Sequence, residues 1–206
     1  MVTLTTTIPG FADITRDSQQ TFRALLTSLS EPGKIKDISC PLSTPAELSL
    51  AFGATCLTLI DFETPVWLQP AFSEETKGWL RFHTGCQFTH SKKQADFALM
   101  KDLDAIDLSA FRWGSAEAPE ESTTLLLQLE TLSGDEQVAL HGPGIQTQRS
   151  VSPLLPQQFW QQWALNHDSY PTGIDCFLFQ GQQVMGLPRS VSACEASATQ
   201  STEPRR

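Results

Sequence analysis

Residues 22–33, FRALLTSLSEPG, constrain the fold most strongly because they combine a helical apolar stripe with an abrupt end. Phe22, Leu25, Leu26 and Leu29 are spaced i, i+3, i+4 and i+7, which places them on one face of a helix. Such a stripe is typical of a helix that packs against a core. The segment therefore predicts a packed helix near the start of the chain.

The two ends of this helix can also be predicted. Pro32 lacks an amide hydrogen and Gly33 can adopt a positive φ, so the helix must stop near Ser30. At the other end, Asp17 or Ser18 is a plausible N-cap, because a short polar side chain can accept a hydrogen bond from the first free amides.

The size and charge of the chain narrow the classes of protein. Its 206 residues suggest one domain, or at most two small ones, and a single domain of this size can bury roughly 70% of its unfolded surface. The formal net charge is −9, which argues against general binding of nucleic acid or of anionic membranes. The N-terminal sequence MVTLTTTIPGFAD lacks the basic and apolar regions of a secretory signal.

The cysteines and the apolar runs point to the cytoplasm. The five cysteines are widely spaced and form no CxxC pair, which favours reduced thiols. The longest mostly apolar run, residues 48–60, is shorter than the roughly 20 residues that a membrane span needs. We therefore expect a cytoplasmic protein that binds neither membrane nor nucleic acid.

Helical and strand patterns alternate along most of the chain, which predicts an α/β domain with a mixed sheet. Helices are predicted over 17–30, 73–84, 104–113 and 156–167, and from 45 into an apolar segment whose last part could be a strand. Ser73 can cap the helix over 73–84, and Gly85 can end it. Strands are predicted over 34–39, 64–68, 96–100, 122–132, 137–141, 175–180 and 183–187. The strand over 122–132 is expected to pair with 137–141 across the turn LSGDE.

Five further blocks carry a family resemblance: DFETPVWL at 61–68, LRFHTG at 80–85, LETLSG at 129–134 with GPGI at 142–145, YPTGIDCFLF at 170–179, and LPR at 187–189. Together with FRALLTSLSEPG they resemble PhnH, a subunit family of the bacterial carbon–phosphorus lyase system. The match predicts one domain over 15–191, between a loose arm at 1–14 and a disordered tail at 192–206.

This resemblance implies a fold and a function. The implied fold is a three-layer domain similar to the large domain of pyridoxal-phosphate-dependent transferases, without the cofactor site. The implied function is that of an essential, non-catalytic subunit. Its complex couples an alkylphosphonate to the ribose of a nucleoside triphosphate, with subunits of the G, I and J type as partners and a homodimer when alone. No catalytic residue, metal or cofactor is carried over.

Three candidate sites are only weakly supported by the sequence. His83, Cys86 and His90 could supply metal ligands, but Gly85 interrupts the helix between them and a fourth ligand is missing. HGPGI at 141–145 could approach a phosphate through backbone amides, but Pro143 removes one of them, so a tight turn is the better interpretation. His141 has no assigned role. Lys92 and Lys93 are the nearest match to a Schiff-base lysine, and an exposed pair is the better interpretation.

Two sets of residues remain as candidate binding residues. Arg81, His83 and Arg189 lie within the matching blocks and could bind an anion, although they could equally pair with the chain's carboxylates or with the surface of a partner. The stretch 150–166 holds no Asp, Glu or Lys and no Arg, and its aromatic residues Phe159, Trp160 and Trp163 could contact a partner or fill the core. A freestanding metal-dependent enzyme and an anionic small-molecule binding module stay as alternatives.

Overall fold

The computed structural model describes residues 8–195. Its α-helices are α1 (Ile14–Ser30), α2 (Leu50–Leu59), α3 (Glu74–Thr84) and α4 (Gln157–Asp168). Its strands are β1 (Ile35–Asp37), β2 (Pro65–Leu68), β3 (Gln87–Phe88), β4 (Phe97–Met100), β5 (Thr124–Gln128), β6 (Val138–His141), β7 (Arg149–Val151), β8 (Asp175–Gln180), β9 (Gln183–Leu187) and β10 (Ser192–Glu195). Within this part of the chain, no helix combines the length and the hydropathy needed to cross a membrane.

A seven-stranded mixed sheet in the order β1-β9-β8-β5-β4-β2-β3 organises the fold. The five strands from β8 to β3 run parallel, and β9 is antiparallel to both of its neighbours. A smaller antiparallel sheet has the order β10-β6-β7. The predicted α/β class with a mixed sheet is confirmed.

The main sheet is covered on both faces, because its central strands are apolar on both sides. One buried cluster joins the sheet to α1, α2 and α3 through residues such as Leu25, Phe52 and Trp79. The other joins it to α4 and the small sheet through Phe159, Trp163 and Leu140. Helix α2 is buried along Ala51–Cys56, as expected of a helix that is apolar on nearly all sides.

Helix α1 buries only part of the stripe that its sequence predicts. Leu25 is buried and Leu29 is partly buried against the same core cluster, but Phe22 and Leu26 are exposed. The remaining buried positions of the helix are Asp17, Thr21 and Ser28. At 100° per residue, the buried arc is centred about 90° away from the apolar stripe. The helix therefore turns Phe22 and Leu26 outward, while small and polar side chains share its buried side with Leu25.

The sheet explains this orientation. Helix α1 packs directly on β9, where a Cβ placed on Gly186 would lie 2.5 Å from the carbonyl carbon and oxygen of Ser28. Such a close approach leaves no room for a large side chain, so Gly186 meets the backbone at the small residue Ser28, and Phe22 and Leu26 lie on another side of the helix. Apolar periodicity cannot detect a contact that is decided by size.

The start of α1 also differs from the prediction. Asp13 is the N-cap and accepts a hydrogen bond from the amide of Arg16 at 3.0 Å, while the Asp17 carboxylate accepts one from the amide of Asp13 at 3.1 Å. The predicted end is confirmed, with Ser30 as the last residue. Helix α3 begins after its predicted cap Ser73 and ends at Gly85, which has φ 71°.

The turns after α1 and β6 pack against each other. Gly144 has φ 82°, and a Cβ on it would lie 2.3 Å from the carbonyl oxygen of Ser30 and 2.8 Å from the Pro32 ring. Arg149 donates a hydrogen bond to the carbonyl oxygen of Pro32. The segments SEPG and GPGI thus form one structural contact, which agrees with the tight turn predicted at 142–145.

The predicted pairing of 122–132 with 137–141 is wrong. Strand β5 is shorter than expected and lies between β4 and β8 in the main sheet, whereas β6 pairs with β7 and β10. Leu125–Leu127 are all buried, which is the pattern of a central parallel strand. The turn at 132–136 connects two sheets instead of two strands of a hairpin.

Three other predictions need correction. The helix expected over 104–113 is a short 3₁₀ turn at Leu108–Ala110. The arm at 1–14 is ordered from residue 8, where the carbonyl oxygen of Ile8 accepts a hydrogen bond from Trp79, and residues 1–7 lie outside the described range. Disorder from residue 192 is wrong for Ser192–Glu195, which form β10, and residues 196–206 lie outside the described range.

Candidate functional site

The carboxyl ends of the parallel strands carry a network of polar side chains. Gln69, just after β2, accepts hydrogen bonds from the backbone amides of Lys101 and Asp102, both at 3.0 Å. Gln128, at the end of β5, accepts one from the amide of Ser49 at 2.7 Å. In open α/β sheets this edge is where ligands usually bind. We therefore treat it as the first candidate site.

Glu47 joins this edge to α3. Its carboxylate accepts hydrogen bonds from the Ser73 amide at 2.8 Å, from the Ser73 and Thr76 hydroxyls, and from Lys101. Desolvation opposes the ionised form, but the bonds from Lys101, Ser73 and Thr76 outweigh it and lower the pKa of Glu47 to about 2. The N-terminus of α3 also favours the negative charge.

The depressed pKa of Glu47 makes stability depend on pH. The ordinary pKa of a glutamate is 4.5. The stability that the ionised Glu47 contributes to the fold is therefore complete above about pH 4.5 and is lost as the pH falls through about 2. We expect Glu47→Gln to lower the free energy of unfolding by about 1–3 kcal/mol at pH 7 and by less at pH 3. Urea unfolding at both pH values measures this, with Glu63→Gln, an exposed carboxylate, as the control. An equal loss for Glu47→Gln at both pH values would contradict the assignment.

A groove opens beside this network at the ends of β4 and β5. It has a volume of about 630 Å³, and its lining includes Leu103, Leu129, Leu154 and Leu155 together with Asp102, Asp104, Glu130 and Glu136. Lys101, its one lining cation among the described residues, is paired with Glu47. An excess of carboxylates repels a polyanion, so this groove is poorly suited to a triphosphate.

This edge was not predicted from the sequence. A usable signal was present, because polar residues follow directly after two predicted strands: Gln69 and Lys101. Gln128 lies inside the strand predicted over 122–132, so its place at the end of β5 was not indicated. What the sequence could not supply was the order of the strands, and without that order these residues cannot be placed side by side.

Arg189, a predicted anion-binding residue, lies in a dense internal network. Its guanidinium contacts the Asp175 carboxylate with Nη2 at 2.6 Å, and it donates to the carbonyl oxygen of Pro119 at 2.7 Å and to the Ser122 hydroxyl. The Arg189 side chain is 13% exposed. These partners occupy the guanidinium fork and tie the start of β8 to the loop before β5.

Arg81 and His83 lie on α3, away from Arg189. The Arg81 guanidinium stands 4.8 Å from the centre of the Phe88 ring. His83 forms a hydrogen bond of 2.9 Å with the carbonyl oxygen of Ile8 and packs edge-on against Trp79. His83 therefore holds the N-terminal segment on α3.

The two arginines do not converge. Phe88 on β3 and Asp175 on β8 lie in one row across the parallel strands, four strand spacings apart. At about 4.8 Å per spacing, this separates the neighbourhoods of Arg81 and Arg189 by roughly 19 Å. Anion binding by either residue stays a prediction, but one small anion cannot bridge both.

The aromatic residues of α4 divide between core and surface. Phe159 and Trp163 are fully buried and stacked with their ring centres 5.7 Å apart, and the Trp163 indole donates to the carbonyl oxygen of Val191 at 2.8 Å. Trp160 is partly exposed and lines a second groove of about 500 Å³ with Gln157, Gln161 and Glu136. Of the three predicted interface residues, only Trp160 is placed to contact a partner in this conformation.

The candidate metal ligands are not assembled. Within residues 8–195, no three side chains of His, Cys, Asp or Glu are grouped closely enough to hold a metal ion. Cys86 is buried, and desolvation raises its pKa, which disfavours the thiolate that zinc requires. His141 contacts the carbonyl oxygen of Thr147 at 3.1 Å in the turn after β6.

The structure is that of a mixed α/β protein with two neighbouring grooves, both of which include Glu136 and Gln157 in their lining. The profile of the family described as "Bacterial phosphonate metabolism protein (PhnH)" matches residues 9–193. The chain belongs to this family.

Two curated relatives agree with this assignment. The chain is 38% identical, over 184 residues, to the alpha-D-ribose 1-methylphosphonate 5-triphosphate synthase subunit PhnH of Rhizobium meliloti (strain 1021), and the match covers 88% of this chain and 92% of the relative. It is 29% identical, over 174 residues, to the putative C-P lyase subunit protein HtxG of Stutzerimonas stutzeri, covering 84% of this chain and 83% of the relative.

Proposed function

We propose that this chain is a non-catalytic but essential subunit of a carbon–phosphorus lyase core complex. In this role it supports the transfer of an alkylphosphonate to the ribose of a nucleoside triphosphate, during the breakdown of organic phosphonates. The observation that carries the proposal is the 38% identity to a synthase subunit over nearly the whole length of both chains.

The chemistry of the described residues supports a non-catalytic role. The proposed substrates are strongly anionic, whereas the groove at the carboxyl edge of the sheet is lined mainly by carboxylates and leucines. Arg189 is already held by Asp175, Ser122 and Pro119. Binding of a triphosphate would have to overcome repulsion at that edge, so the reacting groups belong to companion subunits.

The proposal includes the partners and the cellular place that the family resemblance implies. The partners are subunits of the G, I and J type, the location is the cytoplasm, and the isolated chain forms a homodimer. Trp160 is a proposed partner contact, since it is an aromatic residue at an open groove. A fold similar to the large domain of pyridoxal-phosphate-dependent transferases, without their cofactor, is part of the same proposal.

Reconstitution tests this function directly. The companion subunits are expressed with and without this chain, and formation of the ribose phosphonate triphosphate and release of the base are measured with ATP or GTP and methylphosphonate. We expect product only when this chain is included, and none from the chain alone. Turnover by the isolated chain, or full turnover in its absence, would overturn the proposal.

A further inference from the structure

Helix α1 presents apolar side chains that the rest of residues 8–195 leave at least half exposed. Phe22 is 50% exposed and Leu26 is 58% exposed, and they lie one turn apart, while Ile14 is exposed at the first turn. The opposite side of the helix is buried through Asp17, Thr21 and Ser28. The close contact at Gly186 holds the helix in this orientation, so it cannot simply rotate to bury its apolar side.

This surface also carries positive charge in an acidic chain. Arg23 precedes Leu26 by three residues and Arg16 precedes Arg23 by seven, so both lie on the exposed side of α1. Neither forms a salt bridge within the described part of the chain. The one carboxylate of α1, Asp17, is buried beneath the helix. The face is thus apolar and cationic, although the net charge of the chain is −9.

The positive charge of this face distinguishes between two occupants, a second copy of the chain and a different protein. A second copy of the chain, related by a two-fold axis across α1, would bring four arginines together around the apolar residues. Against them each helix offers one exposed carboxylate, its N-cap Asp13, since Glu31 at the other end is paired with Lys34 and Lys36. Like charges brought together at an interface disfavour association. A different protein with an apolar surface edged by Asp or Glu would instead satisfy both the apolar residues and the arginines.

We propose that the exposed face of α1, formed by Phe22, Leu26, Arg16 and Arg23, is the docking surface for an apolar, acid-edged surface of a companion subunit. This inference rests on the proposed function, because it assumes that the chain works within a complex. Phe22 and Leu26 supply the apolar contact, and the two arginines supply complementary charge that speeds association and weakens with added salt.

The test uses the full-length chain co-expressed with its companion subunits. Phe22→Gln and Leu26→Gln are compared with Leu165→Gln, which alters a 63% exposed leucine on α4. We expect the two α1 variants to bind the companions about tenfold more weakly or worse, as for central apolar contacts, and Leu165→Gln to bind like the unaltered chain. Urea unfolding of each isolated variant should give an unchanged midpoint, because the altered side chains are exposed.

The variant Arg23→Glu tests whether the partner surface is edged by acidic residues. Arg23→Glu should weaken binding in low salt, and it should remove much of the loss of affinity that added NaCl causes for the unaltered chain. Binding that is insensitive to Arg23→Glu would contradict an acid-edged partner.

The outcomes separate this inference from the proposed function. If the unaltered chain assembles and both α1 variants assemble equally well, the docking surface is wrong and the proposed function stands. If the unaltered chain does not assemble, both fail. If the α1 variants instead convert an isolated dimer into monomers, a second copy occupies the face and the inference is overturned.

Discussion

Arg189→Met is expected to lower the free energy of unfolding by about 3 kcal/mol. The substitution keeps much of the apolar stem but removes the guanidinium that contacts Asp175, Ser122 and the Pro119 carbonyl. Asp175 would then remain partly buried without its cation, which is costly for such pairs. Urea unfolding at neutral pH, followed by tryptophan fluorescence, measures the change.

Arg81→Met is the matched control for this prediction. Arg81 is exposed and contacts the Phe88 ring, an interaction worth about 0.5–1 kcal/mol at such a site. The loss for Arg189→Met should therefore be several times the loss for Arg81→Met. If both variants lost the same small amount of unfolding free energy, the network around Arg189 would not stabilise the fold. That result would favour the predicted role of Arg189 in anion binding.

Gly186→Ala is expected to destabilise the protein by about 3 kcal/mol, the upper part of the range for overpacking in a core. Gly186 has no positive φ, so the cost comes from contact alone. The new methyl would lie 2.5 Å from the backbone of Ser28 and 2.8 Å from the amide nitrogen of Leu29, and backbone cannot move aside as a side chain can. Helix α1 would have to lift from β9.

Gly78→Ala is expected to change stability in the opposite direction, although it is also a replacement of glycine by alanine. Gly78 lies within α3, and a Cβ there meets nothing within 4 Å. Because alanine favours the helix, this variant should be more stable by about 0.5–1 kcal/mol. If Gly186→Ala proved as well tolerated as Gly78→Ala, the packing that orients α1 would be misassigned.

The candidate site was predictable only where short-range chemistry decides it. The capping of α3 by Ser73 and its end at Gly85 depend on local backbone geometry, and both were predicted from neighbouring residues. The partners of Arg189 lie 14 to 70 residues away along the chain, so nothing in LPR at 187–189 could reveal whether the guanidinium faces a ligand or Asp175. Sequence spacing measures proximity along the chain, whereas a site is defined by proximity in space.

The sequence by itself determined the α/β class, the end of α1 at Ser30 and of α3 before Gly85, the strands β8 and β9, and membership of the PhnH family. Only the tertiary structure decided which face of α1 is buried, which strands flank β5, and which of the α4 aromatics remain open. The physical reason is the range of the forces involved. Helix ends and tight turns follow from backbone sterics within a few residues, whereas the choice of a buried face depends on the shape of a distant surface. At Gly186 the absence of one side chain fixes the orientation of α1, which leaves Phe22 and Leu26 outside the core.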